Sequence, residues 1–165
     1  MSTELAGNIR KTSVHEFSED NETVLIMCMD SNSKYLDRRK LWDLQGTEFK
    51  RCAILDEVKD HMDRKVSYKK LQYFFMSVGC NDIDSKDGEE VFDEMKHFVL
   101  KMKDLHPDIK VIVSEITPRM DDRDAEVKIA NRLLNDFVRD QQNEEWKSKE
   151  ENLLLSGGQQ THPEG

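Results

Sequence analysis

Cysteine is scarce in this 165-residue chain, which holds three, an odd number; a disulfide-stapled scaffold is excluded, and reduced thiols are expected. Glycine and proline number seven and three, too few for a low-complexity or collagen-like chain. No apolar run approaches the roughly 18 residues that a membrane span requires. The amino-terminal stretch holds no apolar signal segment, so a soluble, intracellular protein, most simply a cytoplasmic one, is expected. Positive charge is in deficit: 25 Lys and Arg against 34 Asp and Glu give a formal charge of −9, the wrong sign for a chain that grips nucleic acid through its phosphates. No phosphate loop of the Gly-x-x-x-x-Gly-Lys type and no Gly-x-Gly-x-x-Gly is present, and no Cys or His pair stands at zinc-finger spacing. No cofactor or metal is therefore expected.

What is present is a regular alternation. Residues 1–22 mix small, polar and charged residues without a sustained period and are expected to be a flexible leader. Thr23 to Cys28 is a short apolar run with β-branched members, which suits a buried strand. Thr47 to Cys52, Leu71 to Val78 and Ile109 to Ser114 supply three more. Between and after them, Ile54, Leu55, Val58 and Met62, then Val91, Phe92, Met95, Phe98, Val99 and Met102, then Val127, Ala130, Leu133, Leu134, Phe137 and Val138 recur at helical spacing. Strand–helix alternation with helices long enough to return the chain predicts right-handed crossovers and a parallel, doubly wound α/β/α sheet. The expected domain spans residues 23–143, and residues 144–165 read as a polar, disordered tail without a fifth strand, the stretch after Val138 having a solvated extension of the last helix as its alternative reading.

In an open parallel sheet, ligands bind outside the carboxyl ends of the strands. That rule selects Asp30, Ser31 and Asn32 after the first strand, Cys52 and Ala53 after the second, Gly79, Cys80, Asn81 and Asp82 after the third, and Thr117 to Arg119 after the fourth. A Ser on a strand-to-helix turn can present its hydroxyl, and an Asn amide with backbone N–H groups can receive an oxyanion. Asp-Ser-Asn is equally ordinary turn and helix-cap chemistry. Cys28, Cys52 and Cys80 fall at neighbouring strand ends, where core thiols are the default and a shared metal the alternative. Asp30 with Asp82 could hold Mg²⁺, but no phosphate loop accompanies them.

The blocks Met29-Asp30-Ser31-Asn32, Gly79-Cys80-Asn81-Asp82 and Ser114 to Arg119, in this order and strand context, resemble the SGNH hydrolases, also called the GDSL esterase/lipase family. A narrower resemblance links Met-Asp-Ser-Asn to divergent SGNH-like domains, including those of some LINE retrotransposon products. The resemblance implies a flavodoxin-like fold and ester hydrolysis or deacylation of a small acylated substrate. It makes Ser31 the nucleophile, with the Ser31 N–H, the Asn81 amide and a backbone N–H near Ala53 as oxyanion donors, and Asp30, Asn32, Gly79, Asp82 and Arg119 around the pocket. Met29 replaces the family's Gly, and no Asp-x-x-His block follows a fifth strand. His162, preceded by Gln159 where the family has Asp, is the one candidate base on a segment able to reach Ser31. Without a positioned base a Ser hydroxyl loses general-base assistance, typically 10²- to 10⁴-fold. A catalytically inactive SGNH-like binding or scaffold module is the alternative, and the oligomeric state stays open.

Overall fold

The computed structural model describes residues 23–35, 46–64 and 69–156. The expected leader and His162 lie outside the described residues. Strands β1 (Leu25–Met29), β2 (Thr47–Arg51), β3 (Tyr73–Ser77) and β4 (Lys110–Val113) form one parallel sheet in the order β2-β1-β3-β4. Each expected strand is found, shortened by a residue or more, and the doubly wound α/β architecture is the one that the alternation predicts. In register, Ile26 stands beside Phe74 and Phe74 beside Val111, while Cys28 stands beside Met76.

Helices α1 (Leu55–Asp63), α2 (Gly88–Leu105) and α3 (Asp124–Ser156) follow β2, β3 and β4. Their apolar stripes share a single core with Ile26, Cys28, Phe74 and Met76. Phe98 meets Phe74 edge to face, 5.6 Å between ring centres. Helix α2 begins at a capping box in which the Asp87 carboxylate accepts the Glu90 N–H and the Glu90 side chain accepts the Asp87 N–H. The β1 expectation of burial on both faces is met on one face only. Leu25 and Met27 are half-buried, as are Phe49 and Phe75 beside them, because the described helices pack on the opposite face.

The expected disordered tail is corrected over its first part. Helix α3 continues through Ser156. Its outer half carries Glu, Lys, Gln and Leu, good helix formers without an apolar stripe, so it is helical and exposed together. Lys103 ties Glu145 to α2 at 2.8 Å, and Trp146 Nε1 donates to Glu150 one turn on. No described helix is long and apolar enough to cross a membrane.

Candidate functional site

The carboxyl ends of the four strands gather the residues singled out from the sequence. After β1 the backbone turns sharply. The Asp30 N–H continues the sheet by donating to the Ser77 carbonyl at 3.0 Å, and the buried Asp30 carboxylate accepts the Asn32 N–H at 2.9 Å. This Asx turn starts a short 3₁₀ helix, Ser31–Tyr35. It leaves Ser31 exposed while its neighbours Asp30 and Ser33 are buried. Asn32 Nδ2 donates to Thr117 Oγ1 at 3.1 Å, joining the β1 loop to the β4 loop.

The β2 and β3 loops are joined just as directly. Asn81 Nδ2 donates to the Ala53 carbonyl at 2.8 Å, and the Ala53 N–H donates to Glu57 Oε2 at 2.6 Å. Two of the three expected oxyanion donors thus already have partners. Asp82 is a helix cap: α1 starts after Ile54, whose side chain cannot accept a hydrogen bond, and the Asp82 carboxylate takes the Leu55 N–H at 3.1 and 3.3 Å in its place. Burial raises the Asp82 pKa above the ordinary carboxylate value, against the opposing pull of the Leu55 N–H and Lys86. Gly79 has φ 117°, a conformation that favours glycine, and an added Cβ would come within 2.9 Å of the Ile116 side chain.

Arg119 is fully engaged. Its guanidinium donates to the Cys80 carbonyl at 2.9 Å and lies 2.7 Å from Asp84, and its Nε donates to Asp121 at 2.9 Å. Asp121 first, then Asp84, hold this guanidinium above its ordinary pKa. Arg123 does similar work one turn away, donating to the carbonyls of Ile83 and Lys86. Sequence reasoning missed Glu57, Thr117 as a partner of Asn32, and Arg123. An acidic residue in the first turn of α1 was the one legible signal for Glu57.

The described histidines lie elsewhere. His61 Nε2 is 2.8 Å from Glu48 Oε1, in the last turn of α1, and is partly buried. His97 is exposed in the middle of α2, 2.7 Å from the Asp93 carbonyl, and His106 closes α2 ahead of β4. Among the described residues no group of three or more His, Cys, Asp or Glu could hold a metal ion. Cys28 and Cys52 are both fully buried, and Cys80 is half-buried. A groove of about 170 Å³ lined by Val111, Val113, Phe137 and Val138 opens beside β4, and a second hollow lies around Leu71, Tyr73 and His106. Both lie away from the carboxyl-edge loops.

No family model matches the chain, and no curated protein does. Solved structures do match. One is a member of the lipolytic protein G-D-S-L family from Veillonella parvula, at TM-score 0.54 and 18% identity over 73% of this chain and 75% of that one. Another is a Streptococcus pneumonia protein named after platelet activating factor, at TM-score 0.49 and 17% identity over 59% of this chain and 47% of that one. Likeness at this identity is a likeness of fold, and with the parallel order β2-β1-β3-β4 it establishes that the chain has an SGNH-like, GDSL-type α/β fold.

Proposed function

We propose that this chain is a non-catalytic SGNH-like module that keeps the fold for binding or as a scaffold. One observation carries the reading: the Ala53 N–H, an expected oxyanion donor, is taken by the Glu57 carboxylate at 2.6 Å. An oxyanion arriving there would compete with a carboxylate already in place and would meet its like charge. The Asn81 amide bond to the Ala53 carbonyl and the Asp82 cap on α1 support the same reading, because both side chains serve the loops themselves.

The second reading is a serine esterase or deacylase acting on a small acyl ester. Ser31 would be the nucleophile and the Ser31 N–H and Asn81 the oxyanion donors, with a base such as His162 supplied from outside the described residues. The exposure of Ser31 directly after the buried Asp30 favours it. Labelling with a fluorophosphonate probe, together with hydrolysis of a short-chain chromogenic ester by the chain and by Ser31→Ala, separates the two. The module reading expects no labelling of Ser31 and no hydrolysis that depends on it. Labelling and turnover that are lost in Ser31→Ala overturn it.

A further inference from the structure

Strand β4 ends the sheet order β2-β1-β3-β4, and its one partner is β3. The Lys110 N–H donates to the Gln72 carbonyl at 2.8 Å, and the Ser114 N–H to the Met76 carbonyl at 2.9 Å. Backbone direction alternates along a strand, so Lys110, Ile112 and Ser114 turn their N–H and C=O groups toward β3, while Val111 and Val113 turn theirs outward. Among the described residues no strand pairs with this outer edge.

Both faces beside the edge are apolar. On the helix side, Val111 and Val113 line the groove of about 170 Å³ with Phe137 and Val138 of α3. On the opposite face Ile112 is 48% exposed, and Tyr73 of β3 is 36% exposed. The devices that keep an edge strand single are proline, a bulge or an inward-pointing charge. Lys110–Val113 holds no proline, pairs with β3 in unbroken register, and carries one charge, at its exposed first residue.

We propose that β4 pairs antiparallel with β4 of a second copy of this chain, about a two-fold axis at Ile112, so that two four-stranded sheets join into one.

An edge flanked by apolar surface on both faces requires a partner strand that is apolar on both faces. Strand β4 is itself such a strand, with Val111 and Val113 on one face and Ile112 on the other. Charge selects the register. Outward groups must meet outward groups, so a symmetric pairing is centred on Val111, Ile112 or Val113. Centred on Ile112, it matches Val111 with the partner's Val113 in reciprocal hydrogen-bonded pairs and stacks Ile112 on the partner's Ile112. The two Lys110 side chains then stand four positions apart along the seam, about 13 Å, which exceeds the screening length of about 8 Å at physiological salt. The Val111 centre halves that separation and sets each Lys110 against the partner's Ile112. The Val113 centre sets Val111 against the partner's Glu115, a charge facing an apolar side chain. The seam lies away from the strand-end loops, so it stands whether or not Ser31 is catalytic.

Sedimentation of the full chain from about 1 μM to about 1 mM, with amide exchange at both ends of the range, tests the pairing. A reversible monomer–dimer equilibrium is expected, with the Val111 and Val113 amides protected only at high concentration. Ile112→Lys and Ile112→Glu each place like charges together at the axis and should weaken the dimer roughly tenfold or more, while the melting point of the dilute monomer holds because Ile112 is exposed there. Mixing the two variants sets Lys against Glu and restores a dimer, an outcome that requires residue 112 to meet its own copy. A chain that stays monomeric throughout, a dimer indifferent to Ile112→Lys, a mixture that fails to associate, or Val111 and Val113 amides already protected in the monomer, as when another segment of the same chain covers the edge, would each overturn the proposal.

Discussion

Gly88 is the position where the packing of two helices turns on one missing methyl group. It is the first residue of α2, directly after the Asp87 cap. A Cβ there would lie 2.3 Å from the Glu126 carbonyl oxygen, 3.0 Å from Ile129 Cβ and 3.1 Å from the Ala130 N. All three belong to α3, and two are backbone atoms, so no side-chain rotation relieves the contact. Ordinary contact begins near 3.4 Å, which requires the two helices to part by about 1 Å at the crossing, a gap that forfeits a quarter to a half of the local dispersion attraction. The Gly88 N–H bond to the Glu126 carboxylate at 2.7 Å is strained with it, a loss of about 1.5 kcal/mol. Overpacking adds roughly 1–3 kcal/mol. Against this, Ala gains at most about 1 kcal/mol over Gly in helix propensity, less at a first-turn position. Gly88→Ala is expected to destabilise by about 2–3 kcal/mol, read as a urea midpoint or as a melting point lowered by roughly 5–10 °C. Glu126→Ala removes the carboxylate but keeps the carbonyl, so adding it to Gly88→Ala does not restore stability. A Gly88→Ala chain as stable as the parent would refute the close approach of α2 and α3.

Three further outcomes follow from the loops. Asp82→Asn keeps an oxygen to accept the Leu55 N–H but cannot ionise. Because burial raises the folded-state pKa of Asp82 above its unfolded value, its stabilising contribution is present at acid pH and is lost as pH rises from the unfolded value through the folded one. Asp82→Asn should therefore gain on the parent between pH 4 and pH 7 in urea titrations, and a relative loss over that interval, the sign of a carboxylate held charged by the Leu55 N–H, would refute the upward shift. Asn81→Ala removes the bond to the Ala53 carbonyl and should cost about 1 kcal/mol, with faster amide exchange confined to the β2 and β3 loops; unchanged exchange there would show that the contact holds nothing. Arg119→Ala should lower the melting point, and Arg119→Lys should fail to restore it, since one ammonium cannot span Cys80, Asp84 and Asp121.

The fold was legible because period and punctuation agree along the chain. The run from Leu25 to Met29 and the stripe through Val91, Met95, Phe98 and Met102 each fit one element. The sheet order follows from short right-handed crossovers. The outer half of α3 was legible as a solvated extension of the last helix or as a disordered tail, because residues 144–156 lack the apolar stripe that would decide between the two. At the site, the loops that hold Asp30, Ser31, Asn81 and Arg119 were identified by the strand-end rule, but their bonds were not. A hydrogen bond between Asn81 and Ala53 or between Asn32 and Thr117 links residues 28 and 85 positions apart, and pairing at that range is set by tertiary geometry alone. Asp82 read as a pocket residue for the same reason: its role as a cap for α1 depends on Leu55, a neighbour only in space.

The same bonds that settle these loops decide what the edge can do. An oxyanion hole needs N–H groups that are positioned yet unengaged, so that their partner arrives only with the reacting carbonyl. At Ala53 the N–H is already engaged, since the side chain of Glu57, in the first turn of α1, accepts it. Glu57→Ala separates the two consequences of that bond. It removes the acceptor and frees the Ala53 N–H without touching Ser31 or Asn81. If the edge is a closed structural element, Glu57→Ala costs about 1–2 kcal/mol in urea titration, as loss of a charge-assisted bond does, and ester hydrolysis stays at the level of Ser31→Ala. If Glu57 instead masks a competent hole, the same substitution raises Ser31-dependent hydrolysis, by up to the 10²- to 10³-fold that one oxyanion donor is worth, and the module reading fails.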